Sequence, residues 1–199
     1  MRKGQRSRRD NVHKAAPVFN QHGFAGASLS HLMLATGREK GGIYRHFKSK
    51  EQLASKAFQY AWSLARDARF AGTEEIPNAV DRLKQVVRNF RDRREGLVAG
   101  GCPLLNTAIE SDDGNPVLRA QASRALAGCL QRFREIAEEG KRNGEIRSDV
   151  DSGQLAALIF GSLEGALMIA RLQRKQGALD VACRHLERYL ESDIRANES

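Results

Sequence analysis

Apolar residues recur at helical spacing along this chain and alternate nowhere, which restricts the fold to helices packed on helices. Val12, Ala15, Ala16 and Phe19 fall at i, i+3, i+4 and i+7, and Gly23 closes the segment. Pro17 lies inside it, withdraws one backbone donor and is expected to kink the helix. Leu29, Leu32, Met33 and Thr36 line a second helix, with Ser28 as N-cap and Gly37 as terminator. A short helix follows from about Glu39 to His46, burying Ile43 and Phe47. Ser49-Lys-Glu-Gln52 then reads as a capping box for a longer helix through Leu53, Ala57, Ala61, Leu64 and Ala68.

Beyond Gly72 the pattern continues. Val80, Leu83, Val87 and Phe90 form a stripe behind Pro77, which suits a first-turn position. Gly100-Gly-Cys-Pro103 breaks the chain before a short helix from Leu104 to Glu110. Asn115-Pro116 opens a helix lined by Leu118, Ala122, Ala125, Cys129, Phe133 and Ile136 that ends near Gly140. Residues 154–176 are apolar nearly all round, and 178–191 are amphipathic through Leu179, Cys183, Leu186 and Leu190. The sum is an all-α chain of about nine helices.

Charge divides the chain. Of 33 Lys and Arg and 24 Asp and Glu, twelve and three respectively fall in residues 1–56, so this segment carries the whole formal net charge of +9. A basic head on a neutral body is the footprint of a polyanion-binding module attached to something with another task. The head opens with Arg2, Lys3, Arg6, Arg8 and Arg9, which read equally as a solubilising tail or as an arm contacting phosphates. Cys102, Cys129 and Cys183 are far apart, as expected of reduced thiols in a cytoplasmic protein. The five histidines show no metal-ligand spacing, and no Ser/His/Asp set, phosphate loop or cofactor motif is visible. An enzyme is therefore not expected, nor a metal or cofactor. No signal peptide is read at the N-terminus, and the run from Leu155 to Ala170, interrupted by Glu164, reads as falling short of a membrane span.

Ser28 to Phe47 spell a helix, a glycine turn and a short second helix, the helix-turn-helix arrangement that places its second helix in a DNA major groove. Lys40 sits in the first turn of that helix, within reach of a phosphate or base. Gly41 and Gly42 leave its face bare at a cost of about 1 kcal/mol each. Tyr44 can donate to a phosphate, Arg45 and His46 extend the polar surface, and Lys50 adds charge at the start of the next helix.

Val12-x-x-Ala-Ala-x-x-Phe-x-x-x-Gly-Phe24, Leu32-Met-x-Ala-Thr-Gly37 and Lys40-Gly-Gly-Ile-Tyr-x-His-Phe-x-Ser-Lys-Glu51 together resemble the DNA-binding domain of the TetR family of transcriptional repressors. The resemblance covers residues 8–56 closely. Beyond them Gly101-Cys-Pro-Leu-Leu-Asn106 and Gly161-Ser-Leu-Glu-Gly-Ala166 resemble one subgroup of the family's helical bodies. It implies a three-helix DNA-binding domain over residues 1–50 and a helical ligand-binding and dimerisation domain over 51–199. It also implies a homodimer on a near-palindromic double-stranded operator, released by a small-molecule effector. The positions matching DNA-facing sites are Ser28, Lys40, Gly41, Gly42, Tyr44, Arg45, His46 and Lys50. Three residues depart from the pattern. Arg38 stands where an apolar residue packs into the turn, His31 replaces an acid and should weaken the capping box, and Gly42 lacks a small side chain.

In the body, Trp62, Phe90, Cys102, Asn106, Glu110, Phe133 and Met168 are candidates for a ligand pocket, each with a core, cap or surface role as the alternative. Glu164 and Arg171, about two turns apart, are expected to pair with a partner subunit or to face solvent, with a ligand contact as the alternative. The all-round apolar helix suggests a four-helix dimer interface through Ala157, Gly161, Gly165, Leu179 and Leu186. Two rival readings are a sequence-tolerant architectural DNA binder and a thiol-based redox sensor using Cys102.

Overall fold

The computed structural model describes residues 3–92 and 97–196. Among these the fold is all-helical, with nine α-helices: α1 (Lys3–Gly26), α2 (Leu29–Thr36), α3 (Lys40–Tyr44), α4 (Lys50–Arg69), α5 (Ala79–Asp92), α6 (Pro103–Ser111), α7 (Pro116–Arg142), α8 (Ser152–Gln173) and α9 (Gly177–Tyr189). A 3-10 turn over Thr73–Glu75 and a π turn over Leu190–Ile194 complete it. Three local expectations change. The backbone stays helical through Pro17 and breaks at Gly23, where φ is +71°. Pro77 lies outside α5, whose first turn is capped instead by Asn78 Oδ1, accepting from the Val80 and Asp81 N–H groups at 3.0 and 3.2 Å. The basic start of the chain, from Lys3 onward, is the first turns of α1 (Arg2 lies outside the described residues), and the Arg8 guanidinium rests 5.2 Å above the Phe47 ring.

Packing groups the chain into two compact units, residues 1–65 with 95–125 and residues 66–94 with 126–199. Each unit takes part of α4. Leu53 belongs to the same core as Ala15, Val18, Ala27, Leu32, Ile43 and Phe47. One to two turns on, Ala57 and Ala61 pack with Ala16 and Val98. Within this first unit α6 lies against α1.

In the second unit α5, α8 and α9 pack on one another. Val80, Leu83, Val87 and Phe90 of α5 are buried, as are Leu155, Ile159, Leu163 and Leu167 of α8 and Leu179, Cys183 and Leu186 of α9. The C-terminal segment is fastened by the Arg147 N–H to the Ile194 carbonyl and the Ala196 N–H to the Glu145 carbonyl, both at 3.0 Å. Arg195 adds an ion pair to Asp81 at 2.7 Å. Contrary to expectation, α8 is long and apolar enough to cross a membrane by length and composition. Its Glu164, however, is buried in an ion pair with Arg69, and ten of its residues are buried within the fold, as in the core helix of a globular body.

Candidate nucleic-acid interface

The geometry of the helix-turn-helix begins with its caps. Ser28 Oγ accepts the His31 N–H at 3.1 Å, and His31 Nδ1 accepts the Ser28 N–H at 3.4 Å. A histidine therefore closes the capping box that was expected to be weakened by the missing acid, and its ring stacks on His22 at 4.5 Å. At the other end Gly37 takes a left-handed conformation (φ +66°) and returns its N–H to the Met33 carbonyl at 2.9 Å. Lys14 Nζ on α1 donates to the Thr36 carbonyl at 3.3 Å, placing a cation on the C-terminal end of α2.

Two departures from the family pattern lie side by side. Arg38 is half-buried, and its stem runs beside Gly42, where an added Cβ would meet Arg38 Cβ at 3.4 Å. The methylenes of the arginine lie along Gly42, close enough for an added methyl group to touch them. Ile43 and Phe47 are fully buried beneath α3 and fix its rotation. Lys40, Gly41 and Arg45 are consequently exposed, Tyr44 is half-buried, and Lys48 extends the exposed basic surface. His46 is half-buried, with Nε2 3.2 Å from Ser7 Oγ, so it joins α3 to α1 as well as bordering the surface. At the start of α4 half of the expected box forms: Ser49 Oγ accepts the Gln52 N–H at 3.1 Å, while Gln52 Oε1 accepts the Lys48 N–H, one residue before the cap, at 2.7 Å. Lys50 Nζ donates to the Ala25 carbonyl at 3.4 Å and lies 4.8 Å above the Phe24 ring, held at the edge of the surface.

The candidate pocket residues divide between the two units, four in the first and three in the second. In the first unit Trp62 is buried, and Cys102 N-caps α6 with Sγ accepting the Leu105 N–H at 3.4 Å. Asn106 and Glu110 are structural. Asn106 Nδ2 donates to Asn20 O, Asn20 Oδ1 and Gly100 O at 2.9–3.0 Å. Asn20 Nδ2 in turn reaches the Val98, Ala99 and Gly101 carbonyls. The Glu110 carboxylate accepts the Phe24 and Ala25 N–H groups at 2.6 and 2.8 Å, capping from outside the turn that restarts after the Gly23 break. Together these residues latch α6 and the loop before it to the end of α1. Beside the latch is a cavity of about 20 Å³, room for a single water, between Phe19, Phe24, Phe58, Pro103, Thr107 and Leu118.

In the second unit Phe90 and Phe133 are buried, whereas Met168 is 42% exposed on the outer face of α8 and faces no interior. Glu164 is buried and pairs with Arg69 of its own subunit at 2.6 Å, whereas Arg171 is exposed, as one of the two expectations had it. Burial pushes the Cys129 and Cys183 thiols up to about 11, so neither is a ready nucleophile. Among the expected interface residues, Ala157 and Gly161 are exposed and Gly165 half-buried, but Leu179 and Leu186 are turned into the subunit's own core. Their place outside is taken by Leu158, Met168, Ile169, Leu172 and Val181. A period of 3.6 marks both apolar faces of such a helix without saying which neighbour covers which.

Sequence reading missed Asn20, Lys14 and Arg69. Asn20 and Lys14 are single polar residues on an amphipathic helix, and nothing local marks them as bonding across 78 and 22 residues.

Residues 12–57 match the family model described as bacterial regulatory proteins, tetR family, and residues 79–186 match the tetracyclin repressor-like C-terminal domain. A TetR transcriptional regulator from Chloroflexus aurantiacus J-10-FL superposes with a TM-score of 0.94 at 43% identity over 99% of this chain and 100% of that one. A TetR-family transcriptional regulator from Cytophaga hutchinsonii gives 0.92 at 32% identity over 100% and 99%. The HTH-type transcriptional repressor DhaR of Mycobacterium sp. strain GP1 is 26% identical over 85% of this chain and 84% of its own length. With its head and body both matched and its helix-turn-helix intact, the chain belongs to the TetR family of transcriptional regulators.

Proposed function

We propose that the protein is a cytoplasmic, homodimeric repressor that holds a near-palindromic operator through α3 and is released by a small molecule. The observation that carries this reading is α3 itself. Buried Ile43 and Phe47 clamp it to the core while Lys40, Gly41 and Arg45 stand free, in a head carrying the chain's entire net charge. Ser28, Gly42, Tyr44, His46 and Lys50 border the same surface. Lys40 and Lys50 are assigned to phosphates, so Lys40→Ala and Lys50→Ala should each reduce the slope of log affinity against log salt by about 1. Fluorescence anisotropy with operator duplex at several salt concentrations reads this, and an unchanged slope removes that lysine from the interface.

The outer face of α8 and α9 supports a second copy. Leu172 is 79% exposed and Val181 58%, on a face shared with Leu158 and Ile169. A Cβ at Gly161 or Gly165 would meet nothing within 4 Å, so the subunit's own packing does not require glycine there, although each costs a helix about 1 kcal/mol. Close approach of the same helix from a second subunit accounts for both. The double variant L158E/L172E should be monomeric by light scattering. Its operator affinity should fall by about a hundredfold or more, because two half-sites are no longer held by one particle. A variant that remains dimeric rejects this face.

Release follows from linkage. An effector lowers operator affinity only as far as it prefers the conformation that DNA does not, and about 1–3 kcal/mol of coupling makes a useful switch. The latch of Asn20, Asn106 and Glu110 supplies a rigid connection between α6 and the head through which such a change can pass.

A further inference from the structure

We propose that the effector is an organic anion, a carboxylate on an apolar body, and that its carboxylate takes the place of Glu164 on Arg69. This rests on the reading of the chain as an effector-released repressor and adds the chemical class and the residues that recognise it.

Among the described residues of the second unit, charged side chains are buried at one point. Arg69 and Glu164 pair there at 2.6 Å, with side chains 9% and 7% exposed. Two aromatic rings wall the guanidinium: Phe90 at 4.3 Å and Phe160 at 5.6 Å, themselves edge to face. Cys129 is buried beside it, and the guanidinium works against the rise that burial gives its thiol. A buried pair of this kind about breaks even against well-packed apolar residues, so stability alone gives no reason for it. An amphiphilic ligand gives one, because it brings a matching charge and an apolar body to a site already desolvated and lined by rings.

The two members of the pair are not equally replaceable. Arg69 occupies the last turn of the 20-residue α4, where the helix dipole favours a cation. Its backbone carbonyl is held by Asn89 Nδ2 at 2.8 Å, and its head lies against both rings. Glu164 lies in the middle of α8, where no helix end favours its charge. Exchange of one carboxylate for another keeps every one of the arginine's supports, whereas a cationic ligand would have to expel Arg69 from all of them. The guanidinium fork is also the natural partner of a planar carboxylate. The exchange would cut the direct tie between the end of α4, a helix that begins at Lys50, and α8, which carries the exposed apolar face.

The test uses three probes with one apolar body and different heads: 4-phenylbutyrate, 4-phenylbutan-1-ol and 4-phenylbutylamine. Each is titrated by calorimetry into the full-length wild type, E164Q and the double variant R69M/E164L, the last chosen because Met replacement of Arg69 alone would strand a buried carboxylate. The wild type should bind the butyrate and neither of the others. E164Q should bind it about tenfold or more tightly, since the internal competitor for Arg69 is gone. R69M/E164L, folded by circular dichroism, should not bind it. A role confined to stability would leave E164Q with unchanged or weaker binding, which overturns the proposal. So does equal binding of the alcohol, preference for the amine, or no binding of any probe. Operator anisotropy without probe separates the two readings. Retained operator binding with no response to the butyrate defeats only this inference, and absent operator binding defeats the repressor reading.

Discussion

Replacing Arg69 by methionine should destabilise the protein by about 3–5 kcal/mol, because Glu164 is left charged and buried without its partner. Denaturant unfolding of the isolated variant reads this as a lowered midpoint. The double replacement R69M/E164L removes both charges and should recover most or all of that loss, or exceed wild type by about 1–4 kcal/mol. The opposite sign of the two results identifies the cause. The pair costs little as a unit and much when broken, since each charge is paid for chiefly by the other at 2.6 Å. A single variant as stable as wild type would mean that water reaches the site and that the pair is not buried as described.

Gly100→Ala should cost about 3 kcal/mol or more, combining left-handed backbone strain with overpacking, each of about 1–3 kcal/mol. Gly100 has φ +114°, and a Cβ there would sit 2.6 Å from the Asn20 carbonyl oxygen. That oxygen already receives Asn106 Nδ2 at 3.0 Å, so the alanine pushes apart the hydrogen bonds that join α6 to α1. Operator affinity should fall together with the thermal midpoint. A Gly100→Ala protein with wild-type stability and wild-type operator binding would show that the latch is not rigid. Gly41→Ala provides the contrast within one chain, since a Cβ there meets nothing within 4 Å and the fold should be undisturbed.

The helices were legible because periodicity and breakers agree: Gly37, Gly100-Gly101 with Pro103 and Asn115-Pro116 all fall where elements end or begin. The helix-turn-helix was legible in its elements, since its N-cap at Ser28 and its turn at Gly37 are local features. What escaped was set by contacts across the chain. Glu164 finds a partner 95 residues away, and no spacing along α8 could point to Arg69. Asn106 and Glu110 were candidate ligand contacts because they are polar on a short helix; their true partners, Asn20 and the backbone at Phe24 and Ala25, lie 85–86 residues off. Leu179 and Leu186 obey the amphipathic pattern and still left open whether their stripe faces the subunit's core or a second copy. Local chemistry misled at two points: an imidazole proved able to close a capping box at His31, and the helix runs through Pro17 and breaks only at Gly23.

The most direct test of the central claim is selection of binding sites by the full-length protein from a pool of randomised DNA duplexes. Two recognition helices related by a twofold axis predict a single enriched near-palindrome, with half-sites separated by about one helical turn or a multiple of it. A pool that is retained by the basic head but shows no enriched sequence would contradict the account and leave a sequence-tolerant DNA-binding protein in its place.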